Sequence, residues 1–190
     1  MNDERSLMHA WVVPSEIADP VWTALRYDAI GVLRVASARL EQGRFDDAPA
    51  MLRGPLGLGP PELSVERIAF NGNAFLGGAA DPFTLERCAS TGVIATAGER
   101  SIGRAVHRCD TLGQPYDLAV SAILLVALRH LGDAMRLGSS GDLRGSWREA
   151  AALVRDVTRD RAQLSQNEAG VLRWLEPEPA RVERRARTSA

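Results

Sequence analysis

The run HRCDTLGQPYD, residues 107–117, places an imidazole, a thiol, two carboxylates and a phenol in one short stretch. A neighbouring imidazole can deprotonate a thiol, so Cys109 with His107 suggests a nucleophilic pair in which Asp110 or Asp117 orients the base. The spacing does not force this geometry, because residues two apart share a strand face but point about 200° apart in a helix. The alternative, which we favour, is that Cys109 is a small buried side chain and His107 a surface residue before a turn.

Asp117 also has a structural explanation. It falls in the first turn of a predicted helix, where the helix dipole and exposed N–H groups stabilise a carboxylate. The functional alternative is that Asp117 acts as a general base or repels anions.

A second candidate site is the loop GSSGD, residues 138–142, which is predicted to follow a strand and precede a helix. Proteins with α/β architecture hold phosphate at that position on backbone N–H groups and hydroxyls. If the loop binds an anion, we expect hydroxyls from Ser139 and Ser140 and a bidentate guanidinium from Arg144. The loop lacks the pattern G-x-x-x-x-G-K-[ST], so an ordinary turn is the simpler interpretation.

Composition excludes several classes of chemistry. The sequence contains no lysine, so all 23 Lys and Arg residues are arginine, and Schiff-base, pyridoxal-phosphate and Walker-type lysines are impossible. The three histidines, at positions 9, 107 and 130, lie in separate segments without an H-E-x-x-H or C-x-x-C motif, so we predict no metal site and no cofactor. A net charge of -1 gives no general attraction to nucleic acid or to anionic membranes.

Several features predict a soluble cytoplasmic protein. Cys88 and Cys109 are too few for a disulfide framework, which favours a reducing compartment. The first residues are charged and lack the apolar region of a secretory signal. The longest apolar run, residues 118–128, falls well short of the about 20 residues that a membrane span needs, so we expect no membrane association.

Three helices are predicted. Apolar residues at helical spacing predict the first over residues 20–42. The second, over 115–131, begins at a proline, ends at Gly132 and is apolar nearly all round, which places it at the centre of the core. A capping box S-x-x-E predicts the third over residues 146–158.

Short strands are predicted near residues 63–70, 82–88 and 134–137, the first ending at the turn dipeptide Asn71–Gly72. A further helix is predicted to begin near Ser101. The predicted fold class is α+β, with one small sheet packed against the buried central helix and a second C-terminal helix. An N-terminal helical arm leans on this body.

Shifts in composition predict four segments along the chain. We expect an N-terminal helical arm at 1–48, a Pro/Gly-rich loop at 49–62, an α+β domain at 63–175 and a flexible Arg/Glu/Pro tail at 176–190. The arginines of the tail suggest weak binding to nucleic acid, although glutamates dilute the charge and no aromatic side chain is present to stack on bases.

Short motifs between residues 69 and 147 carry a resemblance. FNG, DPFTLER, CDTLGQPYD and then GSSGD with a following tryptophan resemble an uncharacterised group of proteins from phages and actinobacterial genomes. That group has an F-N-G turn, a Cys-containing run before P-Y-D, and an S-S-D-G-type loop before a tryptophan. This chain has Gly141–Asp142 where the pattern has Asp-Gly, so no role is carried over to the loop. The group has no known activity, and the resemblance implies a shared α+β module.

Three functional hypotheses follow. The first is a non-enzymatic interaction or assembly module that binds a protein partner or self-associates into an oligomer. The second is a small enzyme or ligand- or anion-binding domain that uses Cys109, Asp117 and the loop at Ser139 and Ser140. The third is nucleic-acid binding through the tail.

Overall fold

The computed structural model describes residues 7–42, 51–88, 104–140, 146–159, 163–166 and 171–175. These residues form an α+β fold of two antiparallel sheets and three helices, as the sequence predicts for the fold class. Within them, no helix has both the length and the apolar character needed to cross a membrane.

The first sheet contains five of the described strands, each antiparallel to its neighbours. In order across the sheet they are β6 (Arg104–Asp110), β1 (Met8–Pro14), β7 (Arg136–Ser139), β9 (Val171–Leu175) and β8 (Gln163–Gln166). The sequence of β1 alternates strictly, with His9, Trp11 and Val13 buried and the residues between them more exposed. This period of two sends every second side chain to the core face of the sheet.

The second sheet is built around β4 (Arg67–Gly72), which pairs with β2 (Leu52–Arg53), β3 (Glu62–Leu63) and β5 (Phe83–Glu86). Its aromatic core joins that of the first sheet, since Phe83 packs against Trp11 with ring centroids 5.3 Å apart.

The prediction of a turn at Asn71–Gly72 is wrong, because both residues lie inside β4. The buried Asn71 amide donates to the carbonyls of Ala80 and Pro55, at 2.9 and 3.2 Å, and so holds two neighbouring segments against β4. A Cβ at Gly72 would lie only 1.8 Å from the Gly78 carbonyl oxygen. Glycine is therefore required by the close approach of a second backbone segment.

The three predicted helices are confirmed as α1 (Asp19–Glu41), α2 (Asp117–Leu131) and α3 (Ser146–Thr158). Helix α2 is buried on all sides from Asp117 to Leu128 and packs against both α1 and α3. A helix without a polar face belongs in the interior, which is what its composition predicts.

The strand predictions are only partly correct. Segments 63–70 and 82–88 contribute to the second sheet, whereas residues 136–139 belong to the first, so the single small sheet of the prediction is two sheets. The helix predicted from Ser101 is also wrong where the structure describes it, because β6 occupies Arg104–Asp110. The burial of Ala105 and Cys109 with the exposure of Val106 has the period of a strand.

The N-terminal residues contribute to the common core. Within the segment predicted as a helical arm, β1 lies between β6 and β7, and α1 packs on α2 and α3. The predicted tail, 176–190, lies outside the described residues, and the four segment boundaries stay predictions.

Candidate functional site

Three adjacent strands place Cys109, His9 and Ser139 side by side on the first sheet. His9 of β1 is the register partner of Cys109 on β6 and of Ser139 on β7. Asp117, the first residue of α2, contacts His9 in this row, because the turn after β6 leads directly into the helix.

A continuous chain of hydrogen bonds runs through these residues. His9 Nε2 lies 2.7 Å from Asp117 Oδ1, and His9 Nδ1 lies 3.0 Å from Ser139 Oγ. The Thr111 hydroxyl donates to the same Asp117 Oδ1 at 2.7 Å. We call the chain Asp117–His9–Ser139, with Thr111 bound to its carboxylate, the Ser139 relay.

The chemistry of the groups limits the direction of each hydrogen bond. An ionised carboxylate only accepts hydrogen bonds, so His9 Nε2 donates to Asp117 Oδ1. When the imidazole is neutral, its other nitrogen, Nδ1, accepts, and the Ser139 hydroxyl donates to it.

The relay runs from the interior towards the surface. The side chain of His9 is 0% exposed and that of Asp117 is 6% exposed, whereas Ser139 is partly exposed at the end of β7. Trp147 of α3 packs against the His9 ring in a T-shaped arrangement, with centroids 5.3 Å apart. The carboxylate also lies in the first turn of α2, where the helix dipole stabilises negative charge.

Three buried polar atoms near the relay have no hydrogen-bond partner in the part of the chain that the structure describes. They are Asp117 Oδ2, the Ser121 hydroxyl one helical turn further along α2, and the indole N–H of Trp147. Unsatisfied buried polar groups cost free energy, and three of the seven such atoms among the described residues lie in or beside the relay.

The backbone around the relay is held by hydrogen bonds to β1. The Thr111 N–H donates to the Leu7 carbonyl at 3.0 Å, and the Ser140 N–H donates to the Met8 carbonyl at 3.0 Å. The Ser140 hydroxyl accepts from the Met8 N–H at 2.9 Å. Ser140 therefore holds the backbone of β1 in place, in addition to its predicted role in anion binding.

The structure describes only part of the loop that was predicted to bind an anion. Gly138 and Ser139 belong to β7 instead of a loop, and residues 141–145, with Arg144, lie outside the described residues. The prediction for Ser139, Ser140 and Arg144 as an anion site stays a prediction.

Cys109 and His107 lie in an environment that disfavours a thiolate. Cys109 is fully buried, and its thiol donates to the Asp81 carbonyl at 3.3 Å. Burial, and then the charge of Asp81, raises the pKa of Cys109 to about 12. Burial also lowers the pKa of His107, whose ring stacks on Trp11 with centroids 5.6 Å apart. The burial of Cys109 agrees with the interpretation that the sequence favours. The placement of His107 on the surface before a turn is wrong, because His107 lies within β6 with its ring stacked on Trp11.

His9 is the residue that the sequence analysis missed. Its partners are 108 and 130 residues away in the chain, so no local motif links them. The one available signal was the alternation in MHAWVVP, which places a histidine on the apolar face of a strand.

An apolar surface lies elsewhere, at the rim of the second sheet. The Ala74 N–H donates to the Gly57 carbonyl at 3.1 Å and brings two turns together. Their exposed apolar residues are Leu56, Leu58, Phe75 and Leu76. We call these four residues the rim patch; Leu56 and Phe75 are each 84% exposed.

No protein-family model, curated protein or solved structure matches this chain. The resemblance to phage and actinobacterial proteins stays a prediction, and function has to be inferred from the geometry.

Proposed function

We propose that this protein is a small enzyme or ligand-binding domain whose reacting group is the Ser139 hydroxyl. The observation that carries the proposal is the unbroken Ser139 relay, from a buried carboxylate through a buried imidazole to a serine at the end of a strand. A serine is a poor nucleophile until an adjacent base takes its proton, and His9 Nδ1 is placed to do this.

The remaining contacts support the base. When His9 accepts the serine proton it becomes positively charged, and Asp117 at 2.7 Å stabilises that charge in a water-poor surrounding. The Thr111 hydroxyl holds the carboxylate from the other side. Serine, histidine and aspartate are recognised as a reactive set by geometry and not by order along the chain.

The energetics also favour function over simple packing. A buried carboxylate loses its hydration, and the hydrogen bonds from His9 and Thr111 replace only part of it. The unpaired Asp117 Oδ2 adds to this cost. An unsatisfied buried polar group in a folded protein can mark a catalytic role.

Native mass spectrometry of the protein, incubated with the small-molecule filtrate of its own cells, tests the proposal. We expect a defined adduct on the wild type that is lost in Ser139→Ala. Ser37→Ala provides the matched control, since Ser37 only donates to Glu41 along α1. An adduct that survives in Ser139→Ala, or no adduct at all, would contradict the proposal.

The rim patch favours a second candidate function, an interaction or assembly module. Four exposed apolar side chains on two joined turns form a surface typical of protein contacts. We propose a second copy of the chain as the partner, because isologous pairing of one patch is the commonest form of assembly.

Sedimentation of Leu56→Ser/Phe75→Ser tests this second function. A concentration-dependent dimer of the wild type should become monomeric in the double variant. Tyr27→Ser is the control, since Tyr27 is a comparably exposed aromatic residue on α1. A monomeric wild type, or a dimer retained in the double variant, would rule out self-association through this patch.

The proposal includes a cytoplasmic location, which the two free thiols, Cys88 and Cys109, support. Nucleic-acid binding through residues 176–190 lies outside the described residues and stays a prediction.

A further inference from the structure

We propose that the outward face of the first sheet, the face opposite the core, is a docking surface for an acidic amphipathic helix of a partner protein. The surface is separate from the Ser139 relay, which lies on the core face of the same sheet, and from the rim patch on the second sheet. The strand register, the exposure of the side chains and their charge support the proposal.

Apolar side chains lie at the centre of this face. On β1, Met8 and Val12 point away from the core, because they alternate with the buried Trp11. The register sets Val12 beside Val106 of β6. Met8 and Val106 are 42% and 45% exposed, so the face presents apolar surface that a partner can cover.

Two exposed arginines flank this apolar centre, one on each neighbouring strand. Arg108 of β6 is the register partner of Ala10. Arg136 of β7 is the register partner of Val12, two positions further along β1. From the usual spacing between strands and the rise per residue, the Cα atoms of the two arginines are about 12 Å apart across the face.

A third exposed arginine, Arg173 of β9, adds to the positive charge. The antiparallel register of β7 and β9 brings it opposite Arg136. Like charges opposite one another on neighbouring strands are destabilising, so a bound carboxylate would relieve a cost that the free protein carries. Neither these two arginines nor Arg108 has an ion pair within the part of the chain that the structure describes.

The opposing charge on this face is small. Among the described strands, Asp110 is the single carboxylate at an outward register position, beside Met8. Its side chain already accepts a hydrogen bond from the Leu112 N–H at 3.0 Å. The face is therefore cationic, although the whole chain has a net charge of -1.

Small residues leave room for a helix between the two flanking arginines. Ala10 and Gly138 are register partners there, and among the described residues a Cβ at Gly138 would meet only the Ala10 carbonyl oxygen, 4.0 Å away. A helix with glutamates at positions i and i+7 places them about 10.5 Å apart on one face. The glutamates reach Arg108 and Arg136, and apolar residues at i+3 and i+4 turn towards the sheet.

The chemistry of the face favours a protein over other partners. A second copy paired through the same face would bring its arginines against these. Nucleic acid would supply phosphates but would not cover Met8 and Val106, and no aromatic residue lies at an outward position of β1, β6 or β7 to stack on a base. Methionine and arginine are enriched in protein interfaces.

Fluorescence anisotropy with a labelled synthetic helix tests the proposal on the full chain. The probe has glutamates at i and i+7 and leucines at i+3 and i+4, and a scrambled peptide of the same composition is its control. We expect Arg108→Gln/Arg136→Gln to weaken binding about tenfold. Arg34→Gln/Arg148→Gln, at exposed positions of α1 and α3, removes the same charge and should change nothing.

The apolar centre is tested separately from the charge. Met8→Thr/Val106→Thr keeps residues that strands accommodate and should also weaken binding of the designed helix. The proposal is overturned if the scrambled peptide binds equally well, if the helix variants lose as much affinity as the sheet variants, or if the designed helix does not bind. Tighter binding of an oligothymidylate, dependent on Arg108 and Arg136, would replace the protein partner with nucleic acid.

Discussion

The structure contains two histidine–aspartate pairs of nearly equal length and very different surroundings. His9 Nε2 lies 2.7 Å from Asp117 Oδ1, and His130 Nε2 lies 2.8 Å from Asp28 Oδ2. The side chains of the first pair are 0% and 6% exposed, and those of the second are 15% and 20% exposed. The third partner is the Ser139 hydroxyl in one pair and the Arg129 guanidinium in the other.

This difference shows that the third partner decides what a His–Asp pair can do. Arg129 Nη1 lies 2.8 Å from Asp28 Oδ2 and compensates its charge, so the second pair ties α1 to α2. In the first pair no cation is within reach in the described residues, and the negative charge acts on His9 and, through it, on Ser139. The same two residue types therefore link two helices in one place and contact a serine hydroxyl in the other.

The largest expected effect tests whether the first pair is as closed to solvent as the structure indicates. The neighbouring Cys109 has its pKa raised from 9.0 to about 12, so its thiolate fraction is about a thousandfold below that of an ordinary thiol. Iodoacetamide at mild alkaline pH should alkylate Cys88 at least that much faster than Cys109, as followed by peptide mass spectrometry. Comparable rates would mean that the region around His9 is open.

The next effect compares the two aspartates directly. Asp117→Ala leaves a buried histidine without its partner and should lower the free energy of unfolding by about 3–5 kcal/mol. Asp28→Ala acts on a partly exposed pair and should cost about 1 kcal/mol or less. Urea unfolding at neutral pH measures both changes in the free energy of unfolding. Equal losses for the two variants would show that the two pairs do not differ in their contribution to stability.

Thr111→Val should have a smaller effect, confined to the first pair. It removes the hydroxyl that lies 2.7 Å from Asp117 Oδ1 and 3.2 Å from the Leu7 carbonyl oxygen, while keeping the shape of the side chain, and should cost about 1 kcal/mol. Thr23→Val, at an exposed position of α1, provides the control and should change little. If both variants were neutral, Thr111 would not be holding the carboxylate.

The smallest effect concerns His107, whose Nε2 has no hydrogen-bond partner among the described residues. The charge of Glu86 acts to raise its pKa, but burial, which lowers it, has the larger effect. Burial lowers its pKa below 6.5, so the folded state resists the proton that the unfolded state accepts. Stability from this residue is complete above pH 6.5 and is lost as the pH falls towards the folded pKa. His107→Phe, which retains stacking on Trp11, should make unfolding less pH-dependent between pH 7 and 5; an unchanged slope would contradict this assignment.

Sequence analysis predicted the parts of the molecule that depend on local signals. Helix α2 was predicted because its apolar residues, the proline before it and Gly132 after it are all within one segment. Asp117 and Ser139 were both named as candidates, but His9, which joins them, was not. Its role depends on the register of β1 against β6 and β7, which pairs residues more than a hundred positions apart.

The two sheets were harder to predict for the same reason. The first part of β6 was predicted as a helix because Ile102, Ala105 and Val106 are spaced to share one helix face, and residues from His107 onward were predicted as a loop before α2. Asn71–Gly72 was predicted as a turn because that dipeptide usually forms one. Here both residues pair with β2, and the side chain of Asn71 binds backbone carbonyls of two other segments, which no local pattern indicates.

The position of β1 has a consequence for how the chain is made. His9 leaves the ribosome 108 residues before Asp117 and 130 residues before Ser139. At about 5–20 residues per second, synthesis of those residues takes roughly 5–30 s. The nascent β1 has neither neighbour until β6 has been made, and it lacks its second neighbour until β7 follows. The indole of Trp11 is therefore uncovered for most of synthesis, and the first sheet can form only if β1 does not aggregate before its partners emerge.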